Sequence, residues 1–118
     1  MPLELKVKVK NKEATYKRTE DPMLENLMDA LKIQRQEIEM YKDTKVIPSD
    51  TQNKRRIELL AEFAARFWGN GLTKKDVLAG VTSIDGLNTI EEAVAMTLGM
   101  SISDDDQEEK NNGKDPKK

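Results

Sequence analysis

The sequence predicts one mainly α-helical domain with a small N-terminal β-hairpin, an α+β fold with about four helices. Three observations predict this fold. Apolar and charged residues alternate strictly from Leu3 to Val9, as in a half-buried strand. Later segments repeat apolar residues every three or four positions, as amphipathic helices do. Aliphatic and aromatic residues disappear after Ile102, so we assign residues 1–100 to the domain and residues 101–118 to a disordered, charged tail.

The composition argues against catalysis. The 118 residues include no histidine and no cysteine, so the commonest general acid–base and all thiol chemistry are missing. We therefore expect no enzymatic activity, no catalytic residues, no cofactor and no bound metal. The net charge of −2 creates no global field that would draw the protein to nucleic acid or to a membrane. No apolar run approaches the roughly 20 residues of a membrane span, and we expect a cytoplasmic protein.

A lysine-rich hairpin is predicted at the N-terminus. Asn11-Lys12 is expected to form its turn, because asparagine tolerates positive φ, and Glu13 to Arg18 would form the returning strand. A hairpin of this size is marginal alone, so its apolar face must lie on helices. The lysines on the outer face have two interpretations, a solvated face that resists aggregation or a phosphate-binding ridge: Lys6, Lys8, Lys10 and Lys12.

The first helix is expected to begin at Asp21-Pro22, with the aspartate as N-cap and the proline at the first helical position. The stripe of apolar residues that follows thins at Gln34 and Arg35, so the distal half of this helix is expected to project beyond the core. The spacings of three, four and seven predict that the stripe faces inward; its members are Met23, Leu24, Leu27, Met28, Leu31, Ile38 and Tyr41.

The second helix has the widest apolar arc in the chain, which predicts that it is the most buried element. Ser49 or Asp50 is expected to cap its start. The helix should run to Trp68 and end at Gly69-Asn70-Gly71, because these residues accept positive φ.

Two shorter helices complete the predicted domain. Thr73 and Asp76 have the spacing of a capping box and predict the start of the third helix. The last helix is expected to begin at a cap formed by Thr89, after a turn with the sequence "TSIDGLN", and to stop at Gly99.

The predicted tail contains six carboxylates and four lysines, so it carries the whole net charge of the chain. Clustered carboxylates such as Asp104, Asp105 and Asp106 can coordinate a divalent cation. The run lacks the interleaved glycine and glutamate positions of a calcium loop, and we interpret it as a solvated segment without a metal.

Three of the aromatic residues cluster at the end of the second helix. We expect Phe63 and Phe67 in the core, where aromatic residues at helical spacing usually pack. Phe67 and Trp68 are adjacent and point about 100° apart, so one small core does not readily take both. Trp68 is therefore expected to be partly exposed beside Leu72. We predict a partner-binding site formed by Trp68, Leu72 and Phe67.

A nucleic-acid-binding regulator is the alternative function. Lys54-Arg55-Arg56 form a basic trio, and the two helices around the break at residues 69–71 have the outline of a helix-turn-helix motif. The second of these helices offers Lys74, Lys75 and Asp76 followed by apolar residues, which leaves few side chains for base edges. Binding to nucleic acid is therefore not the favoured role.

The order of these features resembles that of the tail assembly chaperones of long-tailed phages and prophages of Gram-positive bacteria. The resemblance rests on the lysine-rich hairpin, on "FAARFWGNGLTKKDVLAGV" at residues 63–81, on "DGLNTIEEAVAMTLG" at residues 85–99 and on the charged tail. It covers most of residues 3–100 and depends on patterning. "FWGNG" departs from it, since a longer polar residue is expected in place of one of the small ones.

The resemblance implies a non-enzymatic chaperone that binds the long, largely helical tape measure protein and keeps it soluble. It also implies recruitment of major tail protein subunits, self-association into a homo-oligomer, no cofactor and a location in the host cell cytoplasm. Trp68 with Leu72 would suit the exposed apolar contact of such a chaperone. Salt-insensitive association with a helical partner favours the chaperone, whereas salt-sensitive retention on DNA or RNA favours the regulator.

Overall fold

A computed structural model describes residues 3–100 of the chain. The predicted fold class is confirmed in this range, which contains an antiparallel N-terminal hairpin and four helices. The predicted tail, residues 101–118, lies outside the described residues, and so does its acidic run. In chain order the elements are β1 (Leu3–Val9), β2 (Lys12–Arg18), α1 (Leu24–Tyr41), α2 (Asp50–Trp68), α3 (Lys74–Gly80) and α4 (Asp85–Thr97).

The hairpin turn is one residue earlier than predicted. Val9 pairs with Lys12, so Lys10 and Asn11 form the two-residue loop. Their φ angles are 52° and 65°, and two-residue turns of type I′ require positive φ at both positions. The prediction of a turn at Asn11-Lys12 was wrong because the strand pairing, which residue preference does not reveal, decides where the loop lies.

The core forms where α2 packs against α1, α3 and α4 and where β1 packs against α3 and α4. The alternation in β1 is confirmed, since Leu5 and Val7 are fully buried. The buried cluster draws side chains from β1, all four helices and the loop after α2: Leu5, Val7, Ala30, Ile33, Leu59, Leu60, Ala61, Phe63, Ala64, Phe67, Trp68, Leu72, Val77, Ile90, Ala93 and Val94.

The predicted ends of α2 and the start of α3 are confirmed. Ser49 Oγ accepts a hydrogen bond from the Gln52 backbone N–H, and the Gln52 side chain accepts one from the Ser49 N–H. Thr73 and Asp76 form the same reciprocal box at the start of α3. All three residues of the break have positive φ, 62° at Gly69, 54° at Asn70 and 83° at Gly71. A right-handed helix needs negative φ, so α2 ends before this break.

The starts of α1 and α4 differ from the predictions. α1 begins at Leu24, and Asn26 Oδ1 accepts a hydrogen bond from the Met23 N–H in place of the predicted cap at Asp21. α4 begins at Asp85, before the predicted Thr89 cap. Thr89 lies inside the helix, and its hydroxyl donates to the Asp85 carbonyl. Among residues 3–100, no helix is both long enough and apolar enough to cross a bilayer.

Candidate partner-binding surface

The predicted partner-binding residues all lie in the core. Trp68 is 3% exposed, and Phe67 and Leu72 are also buried. The expectation that Trp68 is partly exposed was therefore wrong, while the prediction that Phe63 and Phe67 belong to the core is confirmed. Within residues 3–100 these three side chains are almost fully enclosed and do not form an exposed contact surface.

The hairpin is what buries the indole of Trp68. Trp68 Nε1 donates a hydrogen bond to the Leu3 carbonyl oxygen at 3.2 Å. Arg18 in β2 donates to the Phe67 carbonyl oxygen at 2.6 Å, and its guanidinium carbon lies 4.7 Å from the centre of the Phe67 ring. Phe67 also stacks on Phe63, with ring centres 5.2 Å apart. The two adjacent aromatic residues do point apart, but the hairpin supplies a second packing layer for the end of α2.

An exposed apolar stripe lies instead on α1. The exposed fractions are 79% for Leu24, 64% for Met28, 47% for Leu31 and 63% for Ile38. These positions, with Arg35 between the last two, alternate at spacings of four and three residues, which is the spacing of a coiled-coil seam. We call Leu24, Met28, Leu31, Arg35 and Ile38 the α1 stripe. The prediction that the apolar residues of α1 face inward was wrong for all but one of them, since Leu27 is half-buried and the others are exposed: Met23, Leu24, Met28, Leu31, Ile38 and Tyr41.

The opposite face of α1 packs into the domain and is partly polar. The face contains Asn26, Asp29, Ala30, Ile33 and Met40, which are all buried. Ala30 and Ile33 belong to the core cluster, and α1 packs mainly on α2. An apolar periodicity alone assigns the wrong face here, because two of the inward positions are occupied by an amide and a carboxylate.

Asp29 is the electrostatically unusual residue of that inner face. Burial raises the pKa of its carboxyl group, and the charges of Arg66 and Lys32 oppose the rise only in part. Arg66 Nε lies 3.1 Å from Asp29 Oδ2, at an angle that makes an ion pair without an aligned hydrogen bond. The nearby Asn26 Nδ2 is buried and has no acceptor among residues 3–100. The inner face of α1 therefore buries two polar atoms without hydrogen-bond partners in the described part of the chain, which an apolar interface would not do.

The α1 stripe forms an exposed patch on the outside of the domain. Met28, Leu31 and Ile38 lie there beside the side chains of Lys32, Gln34, Arg35 and Glu39 on the same helix. An apolar centre with charged and polar edges is the usual composition of a surface that receives an amphipathic helix.

A second apolar site lies between α2, α3 and α4. It is a pocket of about 180 Å³ whose walls include Leu60, Ala61 and Val77. Ile57 and Leu78 also line it and are each more than 40% exposed. The pocket has room for an apolar side chain of a partner, and its lining also includes Thr82 and Ser83.

Three of the cations considered for nucleic acid, Arg55, Arg56 and Lys74, are already paired with carboxylates. Arg56 donates hydrogen bonds to Glu37 on α1 and to Glu91 on α4. Burial opposes its charge, yet these two hydrogen bonds and the two carboxylate charges raise its pKa above the ordinary arginine value. Arg55 and Lys74 both lie within 4.0 Å of a Glu62 oxygen. A phosphate would have to compete with these carboxylates, which weakens the case for the regulator.

The comparisons with known proteins agree with the resemblance found in the sequence. A family model described as phage tail chaperone protein matches residues 1–115. No curated protein and no solved structure matches the chain. Because the family match extends over nearly all of the 118 residues, the chain belongs to the phage tail chaperone family.

Proposed function

We propose that the protein is a non-enzymatic tail assembly chaperone that holds a helical segment of the tape measure protein on the α1 stripe. The observation that carries this proposal is the exposure of four large apolar side chains at coiled-coil spacing on one helix. A long helical client would present repeated apolar seams of the same period. A chaperone that covers such a seam would prevent the client from aggregating before the tail is built.

The strength of the contact suits a client that must later be released. Full burial of one large aliphatic side chain contributes about 1.5–3 kcal/mol. The side chains of the stripe are already partly shielded, and association has its own entropic cost. The complex would therefore be reversible, and the client would pass from the chaperone to the growing tail in the host cytoplasm.

The pocket between α2, α3 and α4 is the place we propose for recruitment of the major tail protein. It lies on different elements from the α1 stripe, so the two surfaces can bind separate partners. Two separate apolar surfaces suit a protein that bridges a tape measure protein to tail subunits. An apolar side chain of the subunit, inserted between Ile57 and Leu78, would provide the contact.

Co-expression with the tape measure protein tests the client surface. Replacing Leu24, Met28, Leu31 and Ile38 together by glutamine keeps helix propensity and removes the apolar seam. We expect the variant to remain folded and to lose most of the soluble tape measure protein that co-purifies with the wild type.

The matched control removes exposed apolar side chains elsewhere. Val46 and Ile47 are exposed in the loop between α1 and α2, so Val46→Gln/Ile47→Gln should leave client capture unchanged. Equal capture by the stripe variant and the control variant would reject the α1 stripe as the client site. A parallel pull-down of major tail protein by Leu78→Gln tests the pocket separately.

A further inference from the structure

We propose that the free protein pairs α1 with α1 of a second copy in an antiparallel two-helix seam, and that this pairing covers the α1 stripe from Leu24 to Arg35 until a client displaces it. The masking role rests on the proposed function, whereas the pairing itself depends only on the stripe and its charges. A contact between equal surfaces of two copies is related by a two-fold axis, so every pair of residues across it occurs twice.

The residues beside the stripe are charged along one edge. In heptad terms, Leu24, Leu31 and Ile38 occupy one seam position, and Met28 and Arg35 the other. The residues that follow Leu24, Leu31 and Ile38 form the edge, with alternating charge sign: Glu25, Lys32 and Glu39. The other edge is uncharged and consists of Leu27, Gln34 and Tyr41.

The charge of Arg35, within the seam, disfavours a parallel pairing in register. Equivalent residues would face each other across such a seam, and Arg35 would oppose Arg35 of the second copy in the apolar layer between Leu31 and Ile38. Two like charges brought together in a partly desolvated layer are unfavourable. The antiparallel arrangement avoids this layer, because it sets the two kinds of seam position against each other.

Among the antiparallel registers, the charges select one. When Met28 faces Leu31 of the second copy, Glu25 lies beside Lys32 of the second copy, and the two-fold axis repeats the ion pair. Arg35 then covers Leu24 of the second copy with its aliphatic stem and reaches solvent with its guanidinium. A shift by one heptad would place Lys32 against Lys32 and Glu25 against Glu39 of the second copy, both pairs of like charge.

The side chains needed for this pairing are available. Glu25 and Lys32 are exposed, and neither takes part in an ion pair within residues 3–100. Glu39, in contrast, already pairs with Lys42 on the same helix at 3.2 Å. The overlap covers little more than three turns of each helix and leaves Ile38 outside the seam. A seam this short belongs with small, transient interfaces, and a longer client helix would replace it.

Charge reversal with mixing tests the pairing by sedimentation equilibrium at low salt. Glu25→Lys and Lys32→Glu each turn both ion pairs into like-charge contacts, and we expect each variant to weaken dimerisation by about tenfold or more. An equimolar mixture of the two variants should form a heterodimer, since each Lys then meets a Glu. The double variant Glu25→Lys/Lys32→Glu should regain the wild-type dimer.

The control variants reverse the same kinds of charge at positions away from α1. Glu92→Lys and Lys75→Glu alter exposed residues on α4 and α3, and both should dimerise as the wild type does. Circular dichroism of every variant should show the same helix content, so that loss of the dimer is not loss of the fold. A wild-type chain that stays monomeric, single variants that dimerise normally, or a mixture that stays monomeric would each overturn the pairing.

Disulfide trapping tests the register directly, because the chain has no cysteine of its own. Met28→Cys mixed with Leu31→Cys should cross-link on mild oxidation, and each variant alone should cross-link several-fold less. Preferential cross-linking of Met28→Cys with itself would overturn the antiparallel register. The monomeric Glu25→Lys variant should still capture the tape measure protein, so failure of the pairing and failure of the client site give different results.

Discussion

Trp68 Nε1 donates a hydrogen bond to the carbonyl oxygen of Leu3, 3.2 Å away, and so joins the last residue of α2 to the first residue of β1. Arg18 adds a second link, since it donates to the Phe67 carbonyl oxygen and to the Asp21 carbonyl oxygen. The hairpin is therefore an integral layer of the core, although a two-stranded sheet of this size would be marginal alone.

Replacing Trp68 should destabilise the fold about as much as replacing a core phenylalanine. Trp68→Ala removes a buried ring and should cost about 3–5 kcal/mol in the free energy of unfolding, as should Phe63→Ala. Trp68→Phe keeps most of the ring but loses the hydrogen bond, with an expected cost of about 1 kcal/mol beyond the loss of volume. Urea unfolding followed by circular dichroism measures all three. A Trp68→Ala variant with wild-type stability and impaired partner binding would restore the surface role that the structure argues against.

Gly80→Ala should destabilise the contact between α3 and β1. A Cβ at Gly80 would overlap the Lys8 carbonyl oxygen and would lie 2.9 Å from the Lys8 nitrogen and from Val7 Cγ1. Backbone atoms of a paired strand cannot move away cheaply, so a loss of about 1–3 kcal/mol is expected despite the better helix propensity of alanine.

Gly86→Ala is the comparison for this position. A Cβ there would meet side-chain atoms of Val81 and Thr82 rather than backbone atoms. Side chains move more easily than a paired strand, even though Thr82 Oγ1 is held by the Gly86 N–H, so the loss should be smaller. Thermal unfolding of the two variants decides between these expectations. Equal melting temperatures would show that β1 moves more easily than its pairing suggests.

Asp29→Asn should change the pH dependence of stability in a defined direction. Burial raises the pKa of Asp29 in the folded protein above its value in the unfolded chain, which is about 3.9. The folded state therefore holds this proton more tightly, and the stabilisation is fully present below the unfolded pKa and is lost as pH rises through the folded pKa. Asparagine has no charge to bury, so the variant should gain stability relative to the wild type as pH rises from 4 to 7.

Paired urea titrations at pH 4 and pH 7 measure this difference, because contributions of the other carboxylates cancel between the two proteins. The prediction concerns the sign of the change in relative stability, the free energy of unfolding of the variant minus that of the wild type, between pH 4 and pH 7. A variant that loses stability relative to the wild type as pH rises would mean that the ion pair with Arg66 outweighs the cost of burying the Asp29 charge.

Arg56 joins three helices, since it lies on α2 and its guanidinium binds Glu37 on α1 and Glu91 on α4. Arg56→Ala should cost about 1–3 kcal/mol, because hydrogen bonds between charged groups are lost while both carboxylates stay partly exposed. Arg56→Lys keeps the positive charge but lacks the planar guanidinium that donates to two carboxylates, so it should recover only part of the lost stability. Chemical unfolding tests the order wild type, lysine, alanine; an alanine variant as stable as the wild type would contradict the structural role of the pairs.

Local signals explain why much of the fold was predictable. Alternation in β1, the capping residues Ser49 and Thr73, and the positive-φ residues after α2 each act within a few residues, so their effect is visible in the sequence. The error at the hairpin turn has a cause that is not local, because strand register overrode the preference of a single residue. At the start of α4 the missed signal is local: Thr82 Oγ1 accepts a hydrogen bond from the Gly86 N–H, and the helix begins at Asp85, before Thr89.

The candidate site was not predictable in this way. The periodicity of α1 identified Leu24, Met28, Leu31 and Ile38 as one apolar stripe and assigned this stripe to the inward face, whereas these residues are exposed. The signal that would have corrected it is the second, partly polar face with Asn26 and Asp29, which only becomes recognisable as a packing face once α2 lies against it.

The sequence by itself determined the element types, most helix ends and the family, because these depend on short-range spacing and on order along the chain. Only the tertiary structure decided that the indole of Trp68 points into the domain and that the α1 stripe points out. Both outcomes depend on contacts between residues far apart in the chain, such as Trp68 with Leu3 and Arg66 with Asp29. A periodic pattern shows that a helix has an apolar face. Whether that face is buried depends on whether another element of the fold packs against it.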